Sequence, residues 1–276
     1  MQQDVSLNFI GLFDTVAGIV SPLVGDFSPG NARVSGLNLA LPTGVARKIV
    51  QFVARDEHRH NFALTRTDHD ILLPGAHSDI GGGYLPRARE RVLLSKPLHS
   101  LEYLHLTRER SSAFYQLRTS GDPWLRRLEA NGIEWGIESW SVEQPRSRDD
   151  VHPMQRVYAA AKVEREVYGD LSKIYLRIMR ELGVRHRVPF IAIDDLDARF
   201  ALPKELKSIA EKLRAYVVHD LPAPNLSTAE EQLLLHRYIH FSANWNALMN
   251  FRNSDLDLIF ISRPAQNYQR VMHANQ

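Results

Sequence analysis

Apolar residues come as short dense runs in the first ninety positions and as spaced, helix-like stripes afterwards. Leu7-Asn8-Phe9-Ile10-Gly11-Leu12-Phe13 is almost continuously apolar and stops at Asp14-Thr15. The run is too short for a helix and reads as a strand buried on both faces, as in a parallel sheet. Gly18, Pro22, Gly25, Pro29 and Gly30 then punctuate a loop region. After Thr43-Gly44, the residues Val45, Ala46, Ile49, Val50, Phe52 and Val53 fall at spacings of three and four. That spacing predicts a helix of roughly three turns. A second short run, Ile71-Leu72-Leu73-Pro74-Gly75-Ala76, reads as a strand, with Pro74 at its finishing end because proline lacks a donor.

Strand, helix, strand in that order predicts a βαβ unit with parallel strands. The carboxyl ends of parallel strands share one edge, where open α/β sheets place ligands. Asp14 follows the first strand and His77 the second, so an acid and an imidazole are expected at one edge.

From residue 98 onward the stripes predict helices. Leu98, Leu101 and Leu104 open one that runs to Leu117, and Trp124–Leu128 forms a short one after Gly121-Asp122-Pro123. Residues 131–152 read as irregular. Val157–Leu182 is the clearest long helical region, with Leu171, Ile174, Tyr175, Ile178 and Leu182 on one stripe, Gly169 as a break and Gly183 as a stop. Pro189–Ile193 is β-like, 203–217 and 230–239 read as helices, and 256–261 as a last strand. The expected organisation is therefore α/β: a partial parallel-sheet core over residues 1–97 and a mainly helical completing or capping region over 98–276.

Composition narrows the class. The 276 residues are 44% hydrophobic and 24% charged, which suits a folded globular chain. No run approaches a membrane-spanning length, and Met1-Gln2-Gln3-Asp4 opens no signal-peptide pattern. Thirty-four basic against 32 acidic residues leave no concentrated basic excess, so nucleic acid is not an expected partner. The absence of cysteine excludes disulfides, thiolate catalysis and iron–sulfur clusters in this chain.

An acid and an imidazole at one sheet edge are two parts of a nucleophilic triad, and without cysteine the nucleophile would be serine. No G-x-S-x-G elbow occurs in the chain. Ser28, in Gly25-Asp26-Phe27-Ser28-Pro29-Gly30, is badly spaced and is followed by proline, which cannot donate to an oxyanion. His58, His60, His69, His77, Asp70 and Asp79 lie close together in sequence and could suit a metal, yet form no H-x-x-x-H or H-E-x-x-H pattern, and no cofactor or metal is expected. The charged stretch Ala54–Phe62 reads as a solvated helix end.

Several segments resemble a known family. Phe9–Val16 resembles an F-x-G-x-[WF]-D-T-V segment, Ala54–Phe62 an A-x-D-E-x-R-x-x-F segment, and Pro74–Tyr84 a P-G-x-H-S-D-[VI]-G-G-G-Y segment of a large α/β-hydrolase family that includes the type VI secretion phospholipase effectors of bacteria. Tyr168–Lys173, Arg237–Ser242, Arg263–Ala265 and Gln269–Val271 resemble parts of the effector branch. The resemblance implies a lipase or phospholipase with a Ser-Asp-His triad, in which Asp14 is the acid and His77 the base. Since that triad runs Ser, Asp, His along the chain, the serine is expected upstream of residue 1. It further implies a phospholipid or other lipid ester as substrate, a secretion apparatus or immunity protein as partner, and peripheral membrane contact. The implied location is the cytoplasm of the producing cell, with export independent of a signal peptide.

Each residue also has a plainer reading. Asp14 could cap a turn, and Gly81-Gly82-Gly83 could be a tight loop rather than an anion cradle. Asp79, two residues beyond His77, shares its side if the segment is extended, as a supporting or competing carboxylate. His240, a rival base, fits better as a satisfied core histidine. The alternative to an enzyme is a hydrolase-like remnant that serves as a binding or adaptor protein.

Overall fold

The computed structural model describes residues 6–16, 41–42, 44–145, 152–248 and 252–275. The loop read at Gly18–Gly30, with Ser28, lies outside the described residues, as does Thr43. In chain order the elements are β1 (Ile10–Phe13), β2 (Ile49–Ala54), β3 (Leu64–Thr65), β4 (Asp70–Leu73), α1 (His77–Gly81), β5 (Arg87–Leu93) and β6 (Leu98–Tyr103). They continue with α2 (Ser112–Thr119), α3 (Pro123–Ala130), β7 (Gly136–Glu143), β8 (Met154–Tyr168), α4 (Leu171–Arg185), α5 (Lys207–Val218), α6 (Thr228–Arg237) and β9 (Met272–His273).

The chain forms two compact units, one of residues 1–88, 166–242 and 265–276, the other of 89–165 and 243–264. Residues 97 and 98, where the sequence reading sets its boundary, both lie in the second unit.

The first unit holds a parallel sheet in the order β1-β2-β4, with Ile10 opposite Ile49 and Gln51 opposite Asp70. Its central strand is the stretch expected as a helix, so that expectation is corrected. Ile49, Val50, Phe52 and Val53 are β-branched or aromatic and fit a pleated surface covered on both sides, where tertiary pairing overrides the helix-like spacing. Val50–Ala54 are all buried. The one polar member, Gln51, satisfies its amide completely: Oε1 accepts from Thr15 N at 3.0 Å, and Nε2 donates to Thr65 O and Asp70 Oδ1. On one face, Val50, Phe52 and Leu73 pack with Leu171, Ile174, Tyr175 and Ile178 of α4 and with the buried faces of α5 and α6. The α4 stripe is the one expected from the sequence. The buried Tyr175 hydroxyl donates to Pro74 O, tying the helix to the end of β4. A second small sheet pairs β3 with β9 in parallel.

In the second unit β8 is the long central strand, paired with β5 and β6 and, antiparallel, with β7. Two helical expectations fail here. Residues 98–103 alternate half-buried and exposed, which is the period of a strand, and Leu101, counted on an apolar helical stripe, is exposed. Residues 157–168 contain Ala159-Ala160-Ala161, yet Val157–Ala161 are buried and paired with β6 and β7, and that backbone pairing outweighs alanine's helix preference. The region from residue 98 is thus mixed rather than mainly helical. Residues 136–143, read as irregular, form β7, whereas 189–193 and 256–261 form no strand. Among the described residues, no helix is long and apolar enough to cross a membrane.

Candidate functional site

The site is built entirely within the first unit, at the carboxyl ends of β1 and β4. Asp14 follows Phe13 directly and has a left-handed backbone, φ 52°, which aspartate tolerates better than most side chains. Its backbone N–H donates to Phe52 O, so the turn begins while the chain is still tied to β2. The carboxylate is fully buried. Oδ1 accepts from Ala54 N at 2.8 Å and from Arg270 Nη1 at 2.7 Å. Oδ2 accepts from Arg270 Nη2 at 2.8 Å and lies 2.8 Å from His77 Nδ1. Burial alone would push this carboxyl up, but the hydrogen bonds from His77 and Arg270, with the charge of Arg270, outweigh it and hold the group down at about 2.

Asp14 and His77, expected at one edge, are therefore in hydrogen-bond contact. His77 opens α1 just beyond β4, and its side chain is 26% exposed. Its Nδ1 faces the acid, and among the described residues Nε2 has no hydrogen-bond partner. The ring meets Phe62 edge-on at 5.2 Å, and the Arg59 guanidinium covers the Phe62 ring at 3.2 Å. The His77 backbone N–H donates to Glu57 Oε2 at 3.2 Å.

Glu57 corrects the reading of Ala54–Phe62 as a solvated helix end. It is 1% exposed and binds Arg59 through both oxygens, with Ser242 Oγ on Oε1. Burial raises its carboxyl, and Arg59 brings it below the ordinary range. Neighbouring Asp56 accepts Gly75 N–H at 2.7 Å. The stretch carries so much charge because it leaves β2 and crosses beneath the site, where each carboxylate holds a backbone or guanidinium group. Its motif resemblance was the signal, and the charge pattern alone was not.

Asp79 does not share the side of His77. The segment is helical, not extended, and Asp79 turns inward on α1. Its Oδ2 accepts Ala76 N at 2.9 Å and His240 N at 3.1 Å, and its Oδ1 pairs with His240 Nδ1 at 2.7 Å. His240 lies 4% exposed, stacked on Tyr84 at 3.5 Å. Its Nε2 is buried with no partner among the described residues, so within them it is only half satisfied. Asp79 and His240 thus form a second acid–imidazole pair, which ties α1 to the segment after α6 and does not compete for His77.

The close approach of Asp79 requires Gly75. Its φ is +113°, and a Cβ there would stand 2.7 Å from Asp79 Cβ. Gly75→Ala is expected to cost about 2 kcal/mol, read as a lower denaturant midpoint with an unchanged slope; an unmoved midpoint refutes the clash.

Of the readings open for the three glycines, a tight loop describes Gly82 and Gly83, whose N–H groups are used within the turn. Gly82, φ +80°, is the left-handed cap of α1, and the N–H groups of Gly82 and Gly83 both donate to Ser78 O at 2.9 Å. Gly81 and Gly82 instead line a cavity of about 350 Å³ with Phe13, Tyr84, Ser172 and Phe200. A larger apolar cavity of about 590 Å³ lies beside β1, lined by Phe9, Gly11, Phe13, Phe190, Ile191 and Ile193.

Among the described residues no three His, Asp or Glu side chains converge on a metal-sized point. His58 Nδ1 faces Tyr268 O, and Asp70 accepts from Gln51 and Thr67. Arg270, 256 positions from Asp14, had no spacing signal and appeared in the sequence only inside the matched Gln269–Val271 segment.

Residues 1–105 match a family model described as type VI secretion system phospholipase effector Tle1-like, catalytic domain. No curated protein matches the chain. A solved structure of the Tle1 effector bound to the VgrG spike from the type VI secretion system is similar at a TM-score of 0.77 and 26% identity, over 98% of this chain and 58% of that one. The chain spans somewhat more than half the length of that relative. The chain thus resembles the catalytic domain of Tle1-like type VI secretion phospholipase effectors by sequence in its first 105 residues, and the Tle1 effector by fold over nearly all of its length.

Proposed function

We propose that the chain is the acid- and histidine-bearing part of a serine ester hydrolase of the lipase or phospholipase type, with an α/β-hydrolase-like core. The observation that carries this reading is the 2.8 Å contact between buried Asp14 and His77 at the carboxyl edge of a parallel sheet, with His77 Nε2 unpartnered among the described residues. The serine is supplied by a segment preceding residue 1, a position supported by the Ser, Asp, His order of such triads and by the lack of a G-x-S-x-G elbow in the chain.

In the mechanism, His77 Nε2 takes the serine proton as Oγ attacks the ester carbonyl carbon. The tetrahedral intermediate collapses as the imidazolium returns that proton to the departing alcohol. A water molecule, deprotonated by the same nitrogen, then attacks the acyl-serine, and the imidazolium returns that proton to the departing serine Oγ as the acid is released. Asp14 holds the imidazole with Nδ1–H toward itself and stabilises the cation formed at each attack. Apolar walls at Phe9, Phe13 and Phe190 suit the acyl part of a lipid ester. By analogy with the Tle1 effector bound to its spike, a secretion-spike protein is the proposed docking partner, with an immunity protein and peripheral membrane contact beside it. The proposed route is synthesis in the producing cell's cytoplasm and export without a signal peptide.

The 276-residue chain alone is expected to hydrolyse short-chain esters negligibly, and a longer protein carrying the elbow serine is expected to hydrolyse them. High turnover by the chain alone, abolished by His77→Ala, would overturn the placement of the nucleophile. An inactive longer protein would favour the adaptor reading.

A further inference from the structure

We infer that Arg270 is a positioning residue for the Asp14–His77 pair: its guanidinium fixes the plane of the Asp14 carboxylate and keeps it an acceptor for His77 Nδ1–H. The inference rests on the proposed reading of that pair as acid and base. It goes further by assigning a role to a residue 256 positions away.

All three guanidinium nitrogens are engaged. Nη1 and Nη2 meet the two oxygens of Asp14 in a parallel fork, and Nε donates to Phe62 O at 2.6 Å. The Arg270 side chain is 5% exposed. Such a fork permits one carboxylate plane, which an ammonium would not enforce. Each Asp14 oxygen has one further contact, from Ala54 N on one side and His77 Nδ1 on the other. A rotation of the carboxylate away from His77 therefore breaks the fork and the Ala54 bond together.

The chain is built to deliver this side chain. Before Arg270, Ala265 N is tied to His58 O, and Asn267 and Tyr268 hold consecutive left-handed conformations that non-glycine residues seldom adopt. After it, Leu64 N donates to Val271 O, and β9 pairs with β3. Arg270 is clipped on both sides, with a strained turn leading into it.

A buried carboxylate without a cation tends to keep its proton, and a neutral acid is a poor partner for an imidazolium. Burial pushes Asp14 up, and Arg270 is among the groups that bring it down to about 2. The other titratable or charged groups gathered here are His77 from α1 and the Glu57–Arg59 pair from the loop after β2, with Glu57 also feeling the charge of Arg270. β1 and β3 bring no ionisable side chain, β2 brings only the neutral Gln51, β4 brings Asp70 and β9 brings His273.

The test uses the 276-residue chain and needs no turnover. The strongly deshielded proton shared by His77 Nδ1 and Asp14 is followed by proton NMR as the pH is lowered, in wild type, Arg270→Gln and Arg270→Lys, with Asp14→Asn as the blank. The Gln variant is expected to lose the signal about 1–3 pH units above wild type, and the Lys variant, which keeps the charge without the fork, between the two. Gln and Lys variants that titrate like wild type overturn the inference. If the Gln variant does not fold, the Lys variant decides in the same way. A wild-type chain without this signal at any pH removes the Asp14–His77 bond, and with it both the proposed function and this inference. A wild-type signal unmoved in the variants removes the inference alone.

Discussion

Asp14→Asn, made in the protein that carries the elbow serine, is expected to lower kcat by about four orders of magnitude with little change in KM. The acid acts only as charge develops on His77, so its loss appears in the chemical step rather than in substrate binding. An asparagine amide would also point N–H groups at Arg270 or His77, where both neighbours are already donors. A loss of less than tenfold would assign the acid to another residue. The same substitution carries a cost that can be measured in the 276-residue chain. It leaves Arg270 buried without its counter-charge, and breaking a buried pair from one side costs about 3–5 kcal/mol. The pH dependence follows in sign. The folded carboxyl sits at about 2, below its ordinary 3.8, so its stabilisation is present above 3.8 and fades as the pH falls toward 2. Wild type should lose that increment of stability on acidification over this window, and Asp14→Asn should not.

How much of this was legible in the sequence depended on which residues were asked to report. Asp14 and His77 could be placed at one edge because short apolar runs ending in polar residues mark strand ends, and parallel strands share an edge. That placement survived an error in between: the βαβ argument had the stretch from Val45 to Val53 as the helix, yet β2, Ile49–Ala54, takes up its second half. The parallel order holds because β1, β2 and β4 all run the same way. A strand buried on both faces has no period of two, and its apolar residues can mimic a helical face. β8 misled for a related reason, since Ala159-Ala160-Ala161 favours a helix locally and only long-range pairing decides otherwise. The partners that tune the pair were least legible. Arg270 meets Asp14 across 256 residues, and Glu57 looked like one charge among many until its burial was seen. Spacing along a chain carries no trace of such contacts.

The buried Asp79 makes the same point in energetic form, because a residue read as a neighbour of His77 instead secures the helix that His77 begins. Asp79→Ala strands three donors at once: Ala76 N, His240 N and His240 Nδ1. Each buried donor left unpaired costs about 1–3 kcal/mol, so a loss of at least about 3 kcal/mol is expected in chemical denaturation. His240 would be affected most, since its Nε2 has no partner among the described residues to begin with and, among them, the ring would be left with its stacking on Tyr84. Adding His240→Phe to Asp79→Ala should therefore cost less than the two single losses combined, because the second change removes a ring nitrogen the first had orphaned. α1 would also lose its N-terminal carboxylate, leaving His77 to its contacts with Glu57, Asp14 and the Phe62 ring. The Asp14–His77 proton signal should then broaden or vanish in a chain that remains folded. A fully additive double variant, or an Asp79→Ala chain within about 1 kcal/mol of wild type, would mean that the second acid–imidazole pair does not secure α1.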